Sequence, residues 1–206
     1  AFLAVGLFFA VVAGFIFTAR KTINAAAPTP TAEDRMSPLV ALKSPWAVLG
    51  ALAIFFYVGF EVTIGDLLTN FLHSPDILNV PLAAAGSMVA WYWGGAMVGR
   101  LVGGLLMLTK IPATTILVFN TAVAATLCLV VTQTSGTTAA YAAIAIGFFN
   151  SIMFPTIFTL TLERSTAPIP ATSGLLVFGI IGGAVLPPIA GQIADRAATL
   201  NPVFYV

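Results

Sequence analysis

The sequence predicts an all-α membrane protein, a bundle of apolar helices joined by short polar turns. Two observations carry that prediction. Of 206 residues, 59% are hydrophobic and 7% are charged, whereas soluble domains carry about 25% charged residues to cover a water-facing surface. The apolar residues also continue in stretches of about 20 or more, the length a helix needs to cross a bilayer. A membrane barrel would instead show alternating segments of about ten residues. Eight Lys and Arg against seven Asp and Glu leave a formal net charge of +1, which offers no basic surface for nucleic acid.

The chain opens on an apolar run with no basic residue ahead of it, so residues 1–18 do not have the charged start of a signal peptide. They read as the end of a helix begun further upstream. Residues 19–45, ARKTINAAAPTPTAEDRMSPLVALKSP, are expected to form a polar linker, because such a composition buries too little apolar surface to fold alone. Helices follow at about 46–72, 82–108, 113–132, 137–162 and 171–194, and 203–206 begins another. Cys128 is the one cysteine, which excludes an intrachain disulfide and a cysteine-rich zinc site. It reads as a small core or lipid-facing residue. His73, alone in the turn after 72, reads as solvated.

Threading these helices alternately through a bilayer puts Arg20, Lys21, Arg35, Lys43, Lys110 and Arg164 on one side, with Arg100 near the same face and Arg196 opposite. Basic residues mark the cytoplasmic side, so the linker is expected to be cytoplasmic. A short-loop helical half behind a long basic linker has the outline of the second half of a twelve-helix transporter. Such transporters are built from two six-helix halves, each made of two inverted three-helix repeats. The helices here would be the sixth, in part, to the eleventh, with the start of the twelfth. Gly59-Phe60-Glu61 and Gly147-Phe148-Phe149-Asn150, three helices apart, fit such an inner repeat.

Function should lie where polar residues interrupt the apolar helices. A carboxylate in hydrocarbon costs at least a few kcal/mol unless it faces water or a partner. Glu61 stands near mid-bilayer, over Tyr57 on the same helix face. Asp66 and Asn70 lie about 140° away around the helix, nearer its outer end, unless Gly65 loosens the turn between them. Glu61 is expected to face a cavity; for Asp66, hydration or helix capping is an equal reading.

In the next helix, Gly95, Gly99 and Gly103 form a flat stripe that lets another helix approach. Arg100 either snorkels to the interface or pairs with an acidic residue as a gate. Trp91 and Trp93 either stack on a sugar ring or pack. Pro155 cannot donate to the carbonyl of Ser151 and should kink its helix. The kink frees backbone beside Asn150, Ser151 and Thr156, which suits either a polyhydroxylated solute or a bond to a neighbouring helix. Gly182-Gly183 and Pro187-Pro188 repeat the device as a hinge or gate. No nucleophile–base pair, phosphate loop or metal-ligand pattern is present in the sequence, so no enzyme and no cofactor are expected.

Four stretches, FFYVGFEVTIGDLLTNFL at 55–72, YWGGAMVGRLVGG at 92–104, FFNSIMFPTIFTLTLE at 148–163 and SGLLVFGIIGGAVLPPIAGQIAD at 173–195, resemble a branch of the major facilitator superfamily. That branch holds the fucose–proton symporter and the bacterial glucose/galactose transporters. The resemblance implies a major facilitator half-bundle that carries a hexose with protons across the bacterial inner membrane by alternating access. Its partners would be the sugar, the proton, the bilayer and the amino-terminal half, where the family's proton-coupling acids mainly lie. Glu61 stands where the fucose symporter has glutamine and the glucose/galactose members have glutamate, which favours glucose or galactose. Asp66 stands where relatives carry a small residue such as serine.

The expected sugar contacts are Glu61, Asn70 and Asn150 through hydrogen bonds, and Tyr57 and Phe154 through their rings. Gly95, Gly99, Arg100, Gly103, Pro155, Gly183 and Pro187 are expected to serve gating and helix packing. Two rival readings are an exporter of drugs or other small solutes and a non-transporting assembly protein. The intramembrane carboxylate argues against the second.

Overall fold

The computed structural model describes residues 2–26 and 36–197. Among them the chain is helical, with no strand. The first unit contains α1, Phe2–Ala26. This helix runs eight residues beyond the expected end at residue 18. Residues 19–26, ARKTINAA, are largely Ala, Arg and Lys, good helix formers that continue the ladder once it exists. A helix ends where its hydrogen bonds end, not where the apolar stretch does. The expected helix start at 203–206 lies outside the described residues, as does the linker stretch 27–35 with Arg35.

The second unit begins with a 3-10 helix, Pro38–Lys43, followed by α2, Pro45–His73, and α3, Leu82–Met107. Helix α4 spans Ala113–Gln133. The last two predicted spans are each broken in two: α5, Gly136–Asn150, and α6, Met153–Arg164; then α7, Ile169–Gly179, and α8, Gly182–Ala197. Among the described residues, five helical spans are long and apolar enough to cross a membrane: Phe2–Ala26, Pro45–His73, Ala113–Gln133, Gly136–Arg164 and Ile169–Ala197. Helix α3, with 26 residues, has the length, but its glycines and Arg100 make it less apolar. Many large apolar side chains face outward, Leu52, Leu101, Leu105, Val118 and Phe119 among them. With lipid as the solvent that is the favourable arrangement.

Hydrophobicity does not drive helices together in lipid, so close packing must. The two tightest seams are α3 with α5 and α2 with α7–α8, and glycine makes both. Gly99 faces the backbone of Phe148 so closely that a Cβ there would fall on its carbonyl oxygen, and Gly147 stands in the same relation to the Tyr92 carbonyl. On the other seam, Gly182 meets the Phe55 carbonyl and Gly179 that of Ala51. Gly59 leaves room for Leu186. The two seams are reciprocal: α2 lies on α7–α8 as α5 lies on α3.

Small side chains assist elsewhere. Ala139, Ala140, Ala142 and Ala143 of α5 are buried in a cluster with Ile64, Leu68 and Phe71 of α2 and Tyr92 of α3. The turns at that end are tied together, since Gly136 N–H donates to the Asp76 carbonyl at 2.9 Å. Gly136 has φ +62°, a left-handed conformation that glycine adopts without strain. His73 is not simply solvated: its Nδ1 pairs with the Val80 carbonyl at 2.8 Å and closes the α2–α3 turn.

Candidate functional site

The site is built at the break between α5 and α6. A helix interrupted at residues 151–152 leaves carbonyls without their usual partners, and polar side chains from three helices gather there. Asn150, the last residue of α5, is buried. Its Nδ2 donates to the Tyr92 hydroxyl at 3.4 Å. That hydroxyl donates in turn to the Glu61 backbone carbonyl at 3.3 Å. From α2 the Tyr57 hydroxyl donates to the Asn150 carbonyl at 2.9 Å. Glu61 and Tyr57, predicted to share a helix face, therefore meet Asn150 near mid-span, Glu61 through its backbone carbonyl. Tyr92 joins them.

The Glu61 side chain is half-buried. Tyr57, one turn earlier on α2, shares its helix face, and Arg100 of α3 stands near enough for its charge to act on the carboxyl. A carboxylate accepts hydrogen bonds, an amide donates and accepts, and a phenol does both. That combination recognises hydroxyl groups. Phe154 lies beside the group, half-buried with Phe149 and Val58 against Tyr57 and Met153, and its ring stands 5.9 Å from that of Phe158.

Asn70 is not part of this gathering. It is exposed and nine residues beyond Glu61, about 13 Å along the helix axis. Helix α2 is unbroken from Pro45 to His73, so Gly65 does not loosen the turn that would bring Asp66 and Asn70 round. Gly65 instead makes room for Trp93, whose ring would lie 2.7 Å from a Cβ at that position. Trp93 also packs edge-on to Tyr92 at 5.1 Å between centroids.

The expected gating residues divide in the same way. Gly99 and Gly103 seat Phe148 and Ile152, with Gly95 in ordinary contact with Phe148. Arg100 donates Nε to the Ser151 carbonyl at 3.2 Å and forms no ion pair among the described residues. Pro155 lies in the first turn of α6 and has no N–H to offer the Ser151 carbonyl, and the break falls at residues 151–152, just before that turn. The second break falls at residues 180–181. Pro187 and Pro188 sit inside α8 without breaking it. Gly183 packs on Val58 and Val62, and the helix break falls before both Gly183 and Pro187, at Ile180–Ile181.

Tyr92 is the residue that sequence reasoning passed over, hidden between two tryptophans. A tyrosine in mid-membrane carries a hydroxyl that needs a partner, which was a usable signal. Two grooves, of about 250 Å³ beside Trp46, Thr114 and Arg164 and about 320 Å³ beside Met88, Trp91 and Tyr141, lie away from Glu61 and Asn150. Among the described residues no three His, Cys, Asp or Glu gather as metal ligands.

No protein-family model matches the chain. It is 45% identical over 148 residues to a glucose/galactose transporter of Brucella abortus, covering 72% of this chain and 36% of that protein. A putative glucose/galactose transporter of Helicobacter pylori is 40% identical over 181 residues, covering 85% and 44% respectively. The L-fucose-proton symporter of Escherichia coli is 28% identical over 158 residues, 75% of this chain and 34% of that one. In structure the chain is similar to FucP, a major facilitator superfamily transporter crystallised in the outward conformation. The TM-score is 0.83 at 20% identity, over 98% of this chain and 51% of FucP. The chain thus spans between about a third and a half of the length of these relatives.

Proposed function

The chain belongs to the major facilitator superfamily, in the branch of the glucose/galactose transporters and the fucose–proton symporter, and on that premise we propose that the whole protein carries a hexose across a membrane. This chain supplies the carboxy-terminal half-bundle. The observation that carries the reading is the meeting of Glu61, Tyr57 and Asn150 near mid-span, where α2 and α3 converge on the broken α5–α6. Broken helices around a midplane site are the usual construction of secondary transporters.

Glu61 accepts from two sugar hydroxyls, the Asn150 amide gives one donor and one acceptor, and the Tyr57 and Phe154 rings cover a sugar face. The opposite wall belongs to the amino-terminal half. Rocking of one half against the other opens the site to each side in turn. The sugar moves with a proton taken up by acids of that other half, in the bacterial inner membrane, with residues 19–45 on the cytoplasmic side. Glucose or galactose fits Glu61 better than a deoxy sugar does, because an acceptor left without a hydroxyl is penalised.

Hexose uptake by the full-length protein tests this, with the variants Glu61→Gln and Asn150→Ala. Each should raise KM by about tenfold or more, the cost of losing a hydrogen bond to a charged or buried group. Unchanged KM and rate in both variants would remove these residues from the site. A protein indifferent to hexoses that exports lipophilic cations would instead establish the efflux alternative.

A further inference from the structure

Around the break between α5 and α6, a side chain meets the carbonyls of Phe148, Asn150, Ser151 and Ile152. Ser151 Oγ donates to the Phe148 carbonyl at 2.8 Å and Thr156 Oγ1 to that of Ile152 at 2.7 Å. These two donors are local. The other two reach in from outside: Tyr57 from α2 to the Asn150 carbonyl and Arg100 from α3 to the Ser151 carbonyl. The Ser151 carbonyl is the one that the sequence itself orphans. In a continuous helix it would accept from the N–H of residue 155, and proline has none. A buried backbone acceptor is rarely left unpaired in a folded protein.

Arg100 is placed to fill that vacancy by its neighbour. A Cβ at Gly99 would fall on the Phe148 carbonyl and on Ser151 Oγ, so glycine there lets α5 lie close enough for the next side chain to reach the break. Two turns away on the same helix, Tyr92 holds the Asn150 side chain. Helix α3 therefore grips two adjacent residues at the end of α5, the amide of Asn150 and the carbonyl of Ser151.

We propose that Arg100 is a positioning residue whose guanidinium replaces the N–H that Pro155 lacks, fixing the peptide next to Asn150 and with it the amide that meets the sugar. Arg100 makes no sugar contact itself. The kinetic consequence rests on the transport reading given above; the coupling of Arg100 to Pro155 does not. A charge role alone, as counterion to Glu61, would be blind to residue 155. Substituting Pro155 by alanine returns an N–H to the Ser151 carbonyl and should make Arg100 dispensable.

A double-mutant cycle in the full-length protein decides the matter, with R100Q, P155A and R100Q/P155A read by thermal unfolding in detergent and by hexose uptake. R100Q alone should lower Tm and raise KM about five- to tenfold, with a smaller change in kcat, as expected for a lost charged hydrogen bond. In the P155A background the same substitution should cost no more than about twofold in KM, with little further loss of Tm. Additive effects of the two substitutions on both readouts would overturn the proposal. Should R100Q fail to accumulate, R100K takes its corner of the cycle, since lysine keeps the charge but not the guanidinium geometry. If the unsubstituted protein moves no hexose, the transport reading fails while the Tm cycle still decides the coupling.

Discussion

At the scale of single residues, the polar side chains inside this bundle differ by whether a partner meets them. Tyr92 is fully buried, and its hydroxyl serves Asn150 on one side and the Glu61 carbonyl on the other. It holds the site without facing a solute. Tyr92→Phe should cost about 1 kcal/mol for each of the two hydrogen bonds, visible as a lower Tm, with KM raised several-fold because the Asn150 amide loses its anchor. Unchanged KM would mean that Asn150 is fixed by other contacts. Thr63 is the opposite case, 3% exposed with no hydrogen-bond partner for its Oγ1 among the described residues. A buried hydroxyl without a partner is an expense that an isosteric methyl removes. Thr63→Val should therefore leave the protein as stable or raise its stability by up to about 1 kcal/mol; a clear fall in Tm would show that the hydroxyl is bonded after all.

At the scale of helices, the glycines divide into those that set the seams and those that do not. Gly147 and Gly182 stand against neighbouring backbone, on Tyr92 and Phe55, whereas a Cβ at Gly86 or Gly94 would meet nothing within 4 Å. Gly147→Ala and Gly182→Ala must push whole helices apart and should each cost about 1–3 kcal/mol or prevent folding. Gly86→Ala lies on an open helix face and should stabilise by up to about 1 kcal/mol through helix propensity. Thermal unfolding of the three variants checks the ranking, and equal losses in all three would contradict the two seams. The glycine stripe of α3 and the proline-linked kink of α5–α6 could be read in the sequence, because Gly every fourth residue and a mid-helix Pro are local signals. The partners could not. Nothing in the sequence says that Gly99 faces Phe148, that Gly65 accommodates Trp93, or that the break falls at residues 151–152 and not at Pro155. Those follow from which helices pack together. The separation of Asn70 from Glu61, about 13 Å along α2 and on another face, was legible from helix geometry alone, and the unbroken helix keeps it. Glu61 itself was legible, since a carboxylate in an apolar helix is expensive wherever it packs.

At the scale of the molecule, the site is one-sided. Glu61, Tyr57 and Asn150 are brought together by α2, α3 and α5 of one half-bundle, and the chain spans 51% of the structural relative whose fold it shares. A sugar lying against these residues alone would leave half of its hydroxyls in water or lipid. It would also have no second body against which the bundle could rock. Alternating access needs two bodies. The bundle expressed by itself should therefore insert into a membrane and give no hexose uptake above background. Co-expression of the amino-terminal half as a separate polypeptide should restore uptake only in part, because helix faces could still pack while the covalent linker that would raise their effective concentration is cut. The decisive comparison is the initial uptake rate with this chain alone, with the other half alone, and with both. Uptake by this chain alone, abolished by Glu61→Gln, would mean that two copies of the half-bundle close the site between them.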